Sequence, residues 1–66
     1  MIDFGAIART QRQKLGLSQQ EVADMAVCHR ETVSIFENNI RSVGIDIVQS
    51  IFNVLGLELT VKEVNR

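Results

Sequence analysis

The stretch CHRETVSIFENN, residues 28–39, crowds a thiol, an imidazole, a guanidinium, a carboxylate and two hydroxyls into its first seven positions. Groups of this kind serve three chemistries: metal ligation, catalysis, and hydrogen bonding to the edges of bases. Cys28 is the one cysteine of the chain and His29 the one histidine. A four-ligand Cys/His site therefore cannot form within one chain, and neither a metal nor a cofactor is expected. Nucleophilic catalysis needs a nucleophile, a base and an orienting group around a pocket. A chain of 66 residues has little room for a pocket, so no enzyme is expected. Cys28 reads as a buried apolar anchor, and His29 as a surface or phosphate-facing residue. Contact with bases is the chemistry that remains.

The elements around this stretch follow from capping and periodicity. Asp3 can cap a helix over residues 3–15, in which Phe4, Ile7, Ala8, Gln11 and Leu15 recur at helical spacing. Arg9, Arg12 and Lys14 suit the negative end of its dipole, and Gly16 stops it. Flanking phosphate contact by Arg9 or Lys14 is a secondary expectation. Ser18 to Glu21 reads S-x-x-E, a capping box, with Leu17 and Val22 placed as a hydrophobic staple. A second helix is expected over residues 19–26. After a break at Val27 to His29, a third covers residues 30–38, with Val33 and Phe36 inward and Asn39 in a left-handed conformation. Two short helices around a tight break form the helix-turn-helix layout, whose second helix presents its first residues to the major groove.

A fourth helix, residues 45–55, is apolar over half its circumference. Ile45, Val48, Phe52 and Leu55 share one face, and Ile47, Ile51 and Val54 lie roughly 110° further round. A small core covers only one such stripe, so the second is expected against a second copy of the chain. The alternative is that the N-terminal segment covers both. After Gly56, Leu57, Leu59 and Val61 alternate with Glu58, Thr60 and Lys62, a strand pattern over about residues 57–63. No other strand is expected, and a lone strand leaves its backbone unpaired. Pairing across a two-fold axis would satisfy it. A frayed tail or a continued helix is the competing reading.

Composition sets the limits. The chain reads as one domain, residues 1–66, too small to be stable without a staple or a partner. One cysteine excludes an internal disulfide, which again favours self-association. There is neither a membrane-spanning run nor a signal-peptide pattern, so a soluble cytoplasmic protein with no membrane partner is expected. The net charge is −1, so charge alone does not argue for nucleic acid. Trp and Tyr are absent, and the three Phe sit where a core wants them, which disfavours stacking on single strands.

GLSQQEVADMA followed by TVSIFENN resembles the Xre family of regulators, of lambda repressor and Cro type. The resemblance covers roughly residues 7–57. It implies an all-α, four-helix, lambda-repressor-like fold, here with a short C-terminal β-strand pairing across a homodimer. It places Ser18, Gln19, His29, Arg30, Glu31, Thr32, Ser34, Ile35 and Arg41 at the DNA. Gln19 would contact a phosphate and brace the reading helix. Arg30, Glu31, Ser34 and Ile35 would face the groove, and Arg41 would touch backbone phosphate. Arg12 and Glu37 match a structural ion pair between the first and third helices. The dimer interface expected from the fourth helix and tail comprises Ile47, Ile51, Val54, Leu57, Leu59 and Val61.

The chain departs from the family pattern at three positions. Val27 stands where the turn usually carries a left-handed Gly, His29 replaces a Ser or Thr cap, and Ile40 replaces a basic loop residue. The tail LGLELTV is similar to the HipB-type antitoxins. This resemblance implies a sequence-specific repressor of a palindromic double-stranded operator. It further implies the antitoxin and autorepressor of a HipBA-like type II toxin–antitoxin operon, with a HipA-like kinase toxin as partner. A free-standing Xre-type repressor of phage or restriction control, and a protein-interaction module without DNA binding, are the alternatives.

Overall fold

The computed structural model describes residues 2–64. It contains four helices: α1 Phe4–Lys14, α2 Gln19–Ala26, α3 Arg30–Glu37 and α4 Ile45–Val54. Asp3 caps α1 by accepting the Ala6 N–H at 2.9 Å. The capping box of α2 is complete: Ser18 Oγ accepts the Glu21 N–H at 3.0 Å, and Glu21 Oε1 accepts the Ser18 N–H at 2.9 Å. Neither His29 nor Gly44 caps its helix through a side chain.

All four helices end in the same way. A left-handed residue stands at Gly16, Val27, Asn39 and Gly56. The next amide donates five residues back: Leu17 to Arg12, Cys28 to Ala23, Ile40 to Ile35 and Leu57 to Phe52. This is the Schellman arrangement, in which an apolar residue folds back over the helix end. Leu17, Cys28 and Leu57 pack against the core, whereas Ile40 stays exposed. Each helix is thereby stopped, and α1, α2 and α4 are also capped with an apolar lid, so four helices fit into a very short chain.

The core is made of Ala8, Val22, Ala23, Ala26, Val33, Phe36, Val48, Ile51, Phe52 and Leu55. Helix α2 packs on both α3 and α4, and α1 packs on α3. Phe52 touches the edges of Phe4 and Phe36, with ring centroids 6.1 and 6.2 Å apart. Helix α1 is rotated from the face its spacing suggests: Ala8 of that face is buried and Gln11 half-buried, but Gly5 is buried with them while Phe4, Ile7 and Leu15 are exposed. The reason is close approach. A Cβ at Gly5 would collide with the Phe36 carbonyl oxygen, so α1 lies directly on the end of α3. Asn39 Nδ2 donates to Asp3 Oδ1 at 2.9 Å and ties the same two ends together.

The second stripe of α4 is also corrected. Ile51, expected at a dimer interface, is 0% exposed within a single chain. Ile47 and Val54 are half-buried against the same core, and Ile45, expected inward, is 64% exposed. Helix α2 covers this stripe, because its small residues Ala23 and Ala26 let α4 come close. An apolar half-circumference therefore demands no second copy at that stripe. Residues 57–64 form neither helix nor strand in the single chain. Leu57 and Leu59 lie half-buried on the core while Glu58 and Thr60 are exposed, so the alternation persists without a paired backbone.

Candidate nucleic-acid interface

The inward side of α3 is set by Val33, Phe36 and Glu37, all buried. At about 100° per residue, the opposite side carries Glu31, Ile35, Asn38 and Ser34, with Arg30 on one flank and Thr32 on the other. Arg30, Glu31 and Asn38 are exposed, and Ser34, Ile35 and Thr32 are half-buried. Thr32 borders a cleft shared with Val27, Cys28, His29 and Ile47. Asn38 belongs on that face and was missed. Its helical register, four residues after Ser34 and seven after Glu31, was the available signal. Its side-chain amide donates to the Ser34 carbonyl at 2.9 Å, which leaves its oxygen free to accept.

The position of α3 is fixed by one polar hub. Arg12 Nε donates to Glu37 Oε2 at 2.7 Å and Nη2 to Glu37 Oε1 at 3.0 Å, a bidentate fork. Arg12 Nη1 donates to the Leu17 carbonyl at 2.9 Å, and Gln19 Nε2 donates to Glu37 Oε1 at 3.2 Å. Three helices and the α1–α2 turn thus meet at one carboxylate. The Arg12 side chain is 13% exposed and that of Glu37 1%. Hydrogen bonding to Glu37 raises the Arg12 guanidinium above its ordinary value, with partial burial opposing. Gln19 therefore holds α2 to the end of α3.

The turn between α2 and α3 is left-handed at Val27, with φ 56° and ψ 51°. A β-branched residue adopts this conformation at a cost, and Val27 is 89% exposed, so no packing offsets it. The Schellman bonds at Val27 and Cys28 still form, and the turn keeps its shape. Cys28 is half-buried, and burial pushes its thiol pKa up, against a reactive role. Among the described residues, no cluster of three or more His, Cys, Asp or Glu is placed to hold a metal. No described helix is long and apolar enough to cross a membrane.

Ser18, His29 and Arg41 are exposed and Gln19 is half-buried. Ser18 spends its hydroxyl on the capping box, where it accepts the Glu21 N–H. A helix-turn-helix family profile matches residues 9–62, which spans α2, α3, α4 and most of α1. The chain belongs to the helix-turn-helix family of Xre/lambda repressor type. No curated protein and no solved structure matches it. Helix-turn-helix proteins of this type are DNA-binding regulators of transcription, and in that frame α3 is the reading helix and α2 its support. The family profile does not distinguish an antitoxin branch.

Proposed function

We propose that this helix-turn-helix chain is a sequence-specific repressor that acts as a two-fold dimer on a palindromic operator. The observation that carries the reading is the outer face of α3, polar and open, with its opposite side locked by the Arg12–Glu37–Gln19 hub. A rigidly held helix with exposed Arg30 and Glu31 at its start is suited to base edges. Arg30 would pair with guanine O6 and N7, Glu31 would accept from cytosine N4, and Ile35 would meet a thymine methyl. Asn38 adds an amide oxygen at the far end of the same face. Arg41, with the first backbone amides of α2, would take backbone phosphate.

The two reading helices would sit about 34 Å apart, one turn of duplex. Selection from a randomised duplex library tests this. The expected product is a palindrome with half-sites about ten base pairs apart, and affinity that falls steeply with salt. No enriched sequence from folded, dimeric protein overturns the repressor reading. Arg30→Ala is expected to cost about 1–3 kcal/mol of discrimination at one base position, read by competition between matched and mismatched duplexes.

The tail's similarity to HipB-type antitoxins supports the narrower role of antitoxin and autorepressor, with a HipA-like kinase toxin as partner. A kinase-type toxin gene beside this one, whose product co-purifies with the chain, is the expected finding. Its absence favours a free-standing repressor. One observation favours an interaction module instead: net charge −1 with apolar Ile35 and Ile40 near the reading surface. Arg30→Ala separates the two readings, since a module keeps its partner affinity.

A further inference from the structure

Asn38 is the residue of the outer α3 face that helical regularity holds least. It stands one residue beyond α3, as its C-cap, with φ −98° and ψ 4°. Helix ends fray, so a short amide at that position needs support from outside the helix. Its side chain is steered by the bond to the Ser34 carbonyl, but its backbone depends on its two neighbours. Glu37, before it, is fixed in the Arg12 hub. Asn39, after it, is left-handed at φ 54° and is held by a second, separate contact.

That contact comes from the start of α1. Asp3 Oδ1 accepts both Asn39 Nδ2 and the Ala6 N–H, each at 2.9 Å. One carboxylate oxygen thus caps α1 and holds the residue at which α3 exits into its loop. The Asn39 bond is the largest of the causes that keep the Asp3 carboxyl below its ordinary value, as suits a charged acceptor. Gly5 permits the approach. A Cβ there would strike the Phe36 carbonyl oxygen and lie 3.2 Å from Asn39 Oδ1. The same Phe36 carbonyl accepts the Asn39 N–H at 3.3 Å. The positive end of the α1 dipole therefore meets the negative end of α3, which favours the contact.

We infer that the Asp3–Asn39 bond is a latch that aims Asn38 at its base, with Asn39 as the positioning residue and Asp3 as its anchor. This rests on the repressor reading above and adds to it the control of one base position. Asn38 is short, so it reaches a base edge only from a fixed backbone. Arg30 opens α3 at the opposite end, where the α2–α3 turn sets its place, and the latch does not reach it. Arg41 follows the latch in the chain, but its long stem can track a phosphate through a small shift of the loop. The latch thus governs base preference at one position rather than overall affinity.

The test uses the full chain and its selected operator, in competition between matched and mismatched duplexes. Asn38→Ala and Arg30→Ala first mark the base pair that each residue reads. Asn39→Gly keeps the left-handed backbone and removes the amide. Asn39→Asp sets two carboxylates against each other. Each should shrink the preference at the Asn38 base pair about 3- to 10-fold, the range expected of one lost hydrogen bond. Preference at the Arg30 base pair and the salt slope should not change. Adding Asp3→Asn to Asn39→Asp reverses donor and acceptor: the amide on α1 still accepts the Ala6 N–H and now donates to the carboxylate after α3. This double variant should restore the preference, a rescue that a general loss of stability cannot produce. Circular dichroism melts confirm that each variant folds. Equal losses at both base pairs show a merely structural role and overturn the latch. So does wild-type preference in Asn39→Gly, or a double variant that fails to recover. An Asn38→Ala variant that flattens no position overturns it too, since the latch would have nothing to aim. A wild-type chain that enriches no sequence removes the repressor reading itself, and the latch with it.

Discussion

At the scale of single residues, Glu37 matters more than its number of contacts suggests. Its carboxylate is almost wholly enclosed and is satisfied only by Arg12 and Gln19. Replacing Arg12 by Met leaves that carboxylate buried with one donor, which should cost about 3–5 kcal/mol in urea denaturation. Glu37→Leu should cost less, because the Arg12 guanidinium is nearer to water. The double variant should recover much of the loss, since a well-packed apolar pair replaces a desolvated ionic one. If the two single losses instead add, the hub is not a coupled unit. Val27 gives the opposite case. Val27→Gly removes an exposed side chain from a left-handed position, and should stabilise the chain by up to about 1 kcal/mol after the entropy cost of glycine. A rise of about 4–8 °C in Tm is the expected reading.

At the scale of elements, capping carries a pH signature. Hydrogen bonds from the Ser18 amide and then its hydroxyl hold the Glu21 carboxyl below its ordinary value. Asn39, then the Ala6 amide, do the same for Asp3. A carboxyl lowered by folding adds stability above its unfolded pKa and loses it as pH falls toward the folded one. Stability should therefore decline from about pH 5 downward, and Glu21→Gln should flatten part of that slope in urea titrations. Both groups are exposed, so the slope is shallow. Ser18→Ala should cost about 1 kcal/mol at neutral pH, read by the same denaturation. These local features were legible because they are written within four residues. The capping box, the α2 bounds and the left-handed Asn39 follow from short-range chemistry. The facing of α1 and α4 was not legible. It depends on Gly5 meeting Phe36, and on Ala23 and Ala26 admitting α4, which are contacts between distant residues. Periodicity finds an apolar stripe but cannot say which neighbour covers it. The same limit applies to the outer face of α3: helical register places Asn38 beside Ser34, whereas the cleft that Thr32 borders with Ile47 is formed by distant residues.

At the scale of the whole molecule, the core is complete within one chain, and the apolar residues left uncovered are spread over α1, α2, both inter-helix turns that follow α2 and α3, the start of α4 and the tail. Binding to DNA should lose affinity steeply with salt despite the net charge of −1. Local cations such as Arg30 and Arg41 would displace counterions on the proposed reading, and a salt series on the selected operator measures how many. Neutralising Arg41 with Gln should lower the slope by roughly one per half-site while leaving base preference unchanged.

The exposed tail also bears on how long the chain survives. Residues 60–64 have no buried side chain in the single chain, so the bond after Lys62 is open to trypsin. A dimer of the proposed kind that covers the tail would shield that bond, and cleavage would then follow the fraction of unpaired chains. Dilute protein should be trimmed at Lys62 quickly and concentrated protein slowly, as mass spectrometry of timed digests would show. A chain trimmed after Lys62 loses Val64 from its tail. Lifetime would thus depend on abundance, with scarce chains removed faster than plentiful ones.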